Sequence, residues 1–340
     1  MPRSPDDLKA LESCIQAMRG YIAGNIDSRA WKRDASNSLQ TSTIGTQWHD
    51  RMCMATSWLR KGKVDSAFRI FRKCTHNYEK ILVAFEPRLF IITCHAILRL
   101  AGKWPDLGRS ILQQMYALAT ITFQTPDYPV VTFLRSILKL GSAKFREFGL
   151  AYARNCVAVF QEHLLQTSQF LVDITIETTT DLVSFGVMDG ASAISALSEL
   201  VTALQPLKER CLDVLSIKTR IAWNYYRMGN CVQGLSLTTN IISESHSYPP
   251  SPDQAEVVRG CHVLSFCTNR RLRYLLDATV AGEELVKYCI ATYGIGHKNT
   301  VDVLSDYMDF LKEDGDLSVL NSISQTLHKA VDQIYNDEDI

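Results

Sequence analysis

A glycine returns about every 40 residues at the joint between two helical patterns. Gly62, Gly102, Gly141, Gly190 and Gly229 are 40, 39, 49 and 39 residues apart, and Gly315 follows 86 residues later, close to two more periods. A period of this size with one joint per unit describes helix hairpins that cannot bury their apolar faces alone and must stack on neighbours. One block shows the unit: Ala55, Trp58, Gly62, Ala67 and Phe71. The small residues let two helices approach, the aromatics fill the groove beside them, and the glycine turns the chain. Ala222, Tyr225, Gly229, Gly234 and Thr238 repeat the spacing, and Met308, Leu311, Gly315, Leu320 and Ser324 repeat it with weaker residues. Around Gly102 the small residue, Gly108, comes one place late.

The 3.6-residue period of apolar positions predicts helices near 5–23, 45–60, 64–80, 87–101, 105–123, 129–140, 143–165, 168–185, 190–204, 208–228, 231–244, 253–268, 271–293, 298–313 and 317–335. Pro87, Pro105, Pro126, Pro129 and Pro206 fall at or near their ends, where a missing N–H costs least. The β-branched run 174–180 (ITIETTT) is the weakest helix and reads also as a strand-like break. The expected architecture is an all-α, right-handed superhelical array of about six or seven hairpins over residues 45–335. An N-terminal helix (1–24) and a polar linker (25–44) precede it, and an acidic tail (336–340) follows.

The charge balance of 36 basic and 36 acidic residues provides no global field toward nucleic acid or an anionic surface. No apolar run is long enough to span a bilayer. The ten cysteines are scattered, none as CxxC, and the start MPRSPDDLK lacks a signal peptide. Reduced thiols and an intracellular setting, cytoplasmic or nuclear, are therefore expected. Phosphate-cradle, nucleophile-elbow and zincin motifs are absent, so neither catalytic residues nor a cofactor is expected. No metal is expected either. Cys261, His262 and Cys267 share a predicted helix with Glu256, but the spacing of five between His262 and Cys267 misses the i, i+4 geometry of a chelating pair. Cys94 and His95 read as core residues.

The hairpin blocks resemble tetratricopeptide repeats. TYGIGHKNT (292–300) resembles the longer repeat of kinesin light chains, with Gly294, His297 and Thr300 matching and Lys298 where a proline is usual. RGYIAGNIDSRAW, WLRKGKVDSAFRIFRK, EPRLF and TPDYPV are similar to segments of filamentous-fungal proteins that usually carry a cryptic-loci-regulator domain, a helical module suspected of binding DNA, which this chain lacks. The resemblance implies a non-catalytic scaffold holding a protein or peptide on its concave face. In the late repeat that face is expected to carry Ser216, Thr219, Trp223, Tyr226 and Arg227; in the early one His49, Met52, Thr56, Leu59 and Arg60. Trp, Tyr and Arg dominate binding energy at interfaces, although a Trp at helical spacing is also a core residue type. Arg270, Arg271 and Arg273 form a candidate anion patch, or else solvated helix ends. The alternatives are a transcription- or chromatin-associated regulator of fungal type and, behind it, a helical enzyme or small-ligand sensor. No membrane association and no direct nucleic-acid binding are expected.

Overall fold

A computed structural model describes residues 5–33, 39, 43–314 and 317–336. The described residues form fourteen α-helices: α1 (Pro5–Asp27), α2 (Thr43–Arg60), α3 (Val64–Val83), α4 (Leu89–Ala101), α5 (Pro105–Phe123), α6 (Pro129–His163), α7 (Gln169–Ser184), α8 (Gly190–Leu204), α9 (Cys211–Arg227), α10 (Cys231–Ser245), α11 (Pro252–Arg271), α12 (Leu275–Tyr293), α13 (Lys298–Asp314) and α14 (Leu317–Asn336). A single bridge between Arg33 and Leu39 is the only extended pairing among them. The fold is an all-α array of helix hairpins. Among the described residues, no helix is long and apolar enough to cross a membrane. Its packing divides into two compact units, residues 1–189 and 190–340.

The second unit is sequential. Helices α8 through α14 each pack on the next, and α9 also meets α11. Ala222 and Thr238 are buried, and a Cβ on Gly234 would stand 3.0 Å from the Ala222 carbonyl, so this close crossing requires the glycine. Gly229 turns the chain at φ 87°, where its N–H reaches Tyr226 O and the next N–H, from Asn230, reaches Tyr225 O. That paired closure of a helix end requires a left-handed residue. At the α11–α12 turn Arg273 does the same at φ 63°, with bonds to Arg270 O and, from Tyr274, to Asn269 O. Five and nine residues later stand Ala278 and Gly282, both packed inside. Arg273 thus fills the period missing between Gly229 and Gly315. A search that follows glycine passes over it.

At the α12–α13 joint Gly294 sits at φ 86°. The buried Thr300 hydroxyl donates to Gly294 O at 2.7 Å, and His297 Nδ1 accepts from Asn299 N at 3.1 Å. Gly-x-x-His-x-x-Thr is a helix-start device here. At α11, Pro252 occupies the first turn and the Ser251 hydroxyl accepts from Gln254 N, so the helix begins one residue before the expected start at 253. Gly315 lies outside the described residues, as do residues 337–340 of the expected tail; of the expected third copy of the hairpin spacing, Met308 and Leu311 are buried and Leu320 and Ser324 are half-buried.

The first unit also contains hairpins. Ala55, Trp58, Ala67 and Phe71 are all buried around the α2–α3 turn, where Gly62 sits at φ 75°. A Cβ on Gly108 would meet Leu100 Cβ at 3.2 Å across the α4–α5 pair. One expectation fails here. Residues 129–163 are one 35-residue helix that runs through Gly141, with no proline to stop it. The glycine that matters in α6 is Gly149, where a Cβ would lie 2.6 Å from Leu98 Cδ2 of α4. The β-branched run 174–180 lies within the expected helix and does not break it; Thr175 returns its hydroxyl to Leu171 O, and tertiary burial of Ile174, Thr178 and Thr179 overrides weak propensity.

Packing in the first unit is non-local. α1 lies along α6, joined by Lys144–Asp7 (2.6 Å) and an Arg19–Glu162 ion pair. Trp31, in the stretch expected to be a plain linker, is buried, stacks on Phe160 and donates its indole N–H to Phe85 O at 2.7 Å. α4 is apolar on nearly every side and only Arg99 of its residues is not buried, so it must be surrounded. It touches α2, α5, α6 and α7.

Candidate functional site

Two places concentrate functional chemistry, one in each unit. In the second unit the residues expected to bind a partner lie on α9. Trp223 and Tyr226 are half-buried and meet edge to face at 5.6 Å; Arg227 is exposed. Thr219 is buried, its hydroxyl donating to Leu215 O at 2.9 Å and standing 3.7 Å from Cys261 Sγ, two members of the cluster that also holds Ile241 and Val257. The arginines separate in role. Arg271 donates to Tyr226 O at 2.6 Å and lies over the Tyr226 ring at 5.1 Å, which places a positive charge on the C-terminus of α9. Arg270 pairs with Glu313 at 2.6 Å and faces Phe310. Arg273 is exposed in its left-handed turn. Trp223, Tyr226 and Arg271 therefore form one ladder across two hairpins. At the turns that Arg271 joins, Met228, Val232, Tyr274, Leu275 and Leu276 are exposed, Val232 at 76% and Leu276 at 78%.

Cys261 and His262 face different neighbours: Cys261 is buried against Thr219, and His262 lies beside Tyr288 at 5.5 Å between ring centres. Glu256, from the same helix, gathers a polar knot. Arg259 donates to both of its oxygens through one guanidinium edge, Nε and Nη2, Tyr293 donates to it at 3.0 Å and Asn299 at 3.2 Å. Burial alone would raise the Glu256 carboxyl, but these donors and the charge of Arg259 hold it below the usual range. The ten cysteines are all free thiols, and burial pushes Cys14, Cys74 and Cys267 up to about 12.

In the first unit, α2, α4 and α7 do not leave the expected open face. Met52 and Thr56 are buried, and His49 meets a cluster that spacing along the chain did not reveal. His49 Nδ1 lies 3.1 Å from Glu177 Oε1, and its Nε2 lies 3.8 Å from Asp181 Oδ2 and 3.6 Å from Cys53 Sγ. His95 Nδ1 is 2.9 Å from Asp181 Oδ2, and the two imidazole rings are 6.1 Å apart. Arg99 Nη2 binds Asp181 Oδ1 at 2.7 Å, and Arg88 Nη1 is 3.6 Å from Glu177 Oε2. Glu86, wholly buried, lies 3.4 Å from Arg88 Nε. Burial would raise the Asp181 carboxyl, but His95, Arg99 and His49 together hold it far below the usual carboxylate range. Burial lowers the His49 imidazole, against the pull of Glu177 and Asp181. His95 does not fill space passively: it is an ionisable group turned toward a carboxylate. Arg60 is exposed, and burial of its inner part followed by the charge of Arg99 lowers its guanidinium.

Three i, i+4 pairs build the cluster: His49 and Cys53 on α2, His95 and Arg99 on α4, Glu177 and Asp181 on α7. Each pair is visible in the sequence as a spacing. Their convergence is not, because 82 residues separate Arg99 from Asp181.

No protein-family model matches the chain, and no curated protein matches it. Among solved structures, a putative kinesin light chain of Podosopora anserina with nearly identical TPR-like repeats is similar at 12% identity, over 57% of this chain and 89% of that one, with a TM-score of 0.38. A point variant of the same protein gives 11%, 56%, 88% and 0.40. A circular tandem repeat protein of novel repeat topology gives 14% identity over 85% of this chain and 70% of that one, with a TM-score of 0.21. These values carry nothing over to this chain; its repeat character rests on its own hairpins.

Proposed function

We propose that the chain is a non-catalytic interaction scaffold that holds a protein or peptide on the second unit, through Trp223, Tyr226 and Arg227 beside Arg271. The observation that supports this reading is the half-exposed ladder of Trp223, Tyr226 and Arg271, flanked by the exposed Val232 and Leu276. Rigid aromatics contribute contact area at small entropic cost, and a planar guanidinium binds carboxylates in bidentate fashion. A matching partner offers an apolar side chain next to an acidic or C-terminal carboxylate. The hairpins supply the rigidity: Gly234 at the α9–α10 crossing and Arg271 of α11, bonded to the end of α9, hold the ladder in place before any partner arrives.

The test is affinity purification of the full chain, identification of the protein that it retains, and measurement of Kd for that protein. Truncating a central anchor commonly costs 2 kcal/mol or more, about thirtyfold in affinity. Folded Tyr226→Ala and Arg227→Ala chains are expected to bind at least that much more weakly, while Arg109→Ala, at an exposed position of α5 in the first unit, leaves affinity unchanged. Full affinity in both variants contradicts the proposal.

A further inference from the structure

The first unit holds four ligand-type side chains that this scaffold role does not use. One ligand atom from each of His49, His95, Glu177 and Asp181 can be chosen so that all four lie within 4.8 Å of one another. They come from three helices, α2, α4 and α7. His95 is completely buried, and neither of its ring nitrogens makes an aligned hydrogen bond; Asp181 Oδ2, 2.9 Å from His95 Nδ1, makes none either. A buried imidazole with no aligned hydrogen bond carries a large desolvation cost unless something else completes it.

The arrangement around the four is ordered. Arg99 holds the outer oxygen of Asp181, Oδ1, which leaves Oδ2 toward the histidines. Arg88 lies on Glu177 Oε2, which leaves Oε1 toward His49. Groups that hold the far side of a carboxylate and aim its near side inward are what surround a coordinated ion. From this geometry we propose that His49, His95, Glu177 and Asp181 bind one divalent transition-metal ion, Zn²⁺ by ligand type, as a structural clamp between α2, α4 and α7.

Two imidazoles and two carboxylates suit zinc, which takes four N, O or S ligands in a tetrahedron. Metal–ligand bonds near 2.1 Å put neighbouring ligand atoms roughly 3.4 Å apart. The 2.9 and 3.1 Å pairs are near that spacing already. The widest separation, 4.8 Å, has to close by roughly 1.4 Å, within the reach of side-chain torsions. With neutral imidazoles, Glu86, Glu177 and Asp181 against Arg88 and Arg99 leave one negative charge, which a divalent cation overcompensates by one. Four protein ligands close the shell, so the ion would hold structure and present no open position for chemistry.

The test uses the full chain. Purified protein is stripped with a chelator, dialysed, and titrated with Zn²⁺ and then with Co²⁺ as a spectroscopic substitute. One equivalent of Zn²⁺ is expected to bind saturably, and Co²⁺ to give visible bands of a tetrahedral nitrogen and oxygen site. His49→Gln and Glu177→Gln are expected to weaken binding at least tenfold, while His262→Gln in the second unit leaves it unchanged. Absence of saturable one-equivalent binding overturns the proposal. So does unchanged affinity in a folded Glu177→Gln chain, or a thiolate-to-cobalt band that persists in it, since the metal would then sit on cysteines elsewhere. Should both variants fail to fold, the Co²⁺ spectrum of the unaltered chain decides: tetrahedral nitrogen and oxygen bands support the site, and their absence overturns it.

Discussion

Residues 190–336 and residues 5–189 use the same helices to different ends. In the second unit every helix packs on its neighbour in sequence, and its buried charge is modest: Glu256 is half-exposed among Arg259, Tyr293 and Asn299. In the first unit the chain returns on itself. α1 lies along α6 with contacts 119 to 143 residues apart, α4 is enclosed, and His95, Glu86 and Asp181 are buried together. The difference teaches that a stacked hairpin places its polar groups at an edge, whereas a helix enclosed on all sides brings its polar residues inside with it. Those residues then need partners from distant segments.

The largest expected effect separates the two directly. Phe133 is buried against Phe90 (4.7 Å) and Tyr152 (5.3 Å) at the centre of the first unit, and Phe310 is buried against Phe266 and Tyr307 in the second. Either residue replaced by alanine is expected to cost about 3–5 kcal/mol locally. Phe133→Ala is expected to lower amide protection throughout α1, α4 and α6, and Phe310→Ala mainly in α11–α14, because stability in a sequential stack is a sum of nearest-neighbour terms. Hydrogen exchange by mass spectrometry reads both; equal spread in the two variants breaks the comparison.

A smaller effect is expected from Ala67→Trp. Ala67 is fully buried at the α2–α3 crossing, and overpacking such a site costs about 1–3 kcal/mol. An unchanged melting temperature would show that the crossing is looser than its burial implies.

What could be read from the sequence follows the same division. The αL glycines 62 and 229, the small residues beside them and the His297–Thr300 helix start are local chemistry, and each stands where spacing placed it. Arg273 was invisible as a turn because nothing in an arginine announces φ 63°. Gly141 misled for the converse reason: a glycine in a polar, proline-free stretch can stay helical at about 1 kcal/mol. In the candidate binding surface, Trp223 and Tyr226 were legible from helical phase, but the contribution of Arg271 from another hairpin was not. The histidine–carboxylate cluster left only three i, i+4 spacings as its trace.

Glu256 offers a graded test of the second unit. Its folded-state pKa lies below the unfolded value, so its contribution is present above the unfolded carboxylate pKa and is lost as pH falls through the folded one. Glu256→Gln is expected to be less stable than the unaltered chain at pH 7, with the gap narrowing as pH falls below the ordinary carboxylate value of 4.5. A gap that stays constant down to acid pH would mean that the knot acts by shape and not by charge.

The smallest effect has the opposite sign. Arg273 holds a left-handed backbone that costs an L-residue about 1–2 kcal/mol, against an entropic cost of about 0.5–1 kcal/mol for glycine. Arg273→Gly is therefore expected to stabilise the chain by about 0.5–1 kcal/mol in denaturant titration. Destabilisation would show that its guanidinium contributes more than its backbone costs.

The contrast between a sequential stack and an enclosed core is tested most directly by native-state hydrogen exchange on the unaltered chain across increasing denaturant. The account predicts that α1, α4 and α6 merge into one opening with a common free energy, while protection from α8 to α14 varies from helix to helix. Free exchange of α1 while α6 stays protected would contradict it.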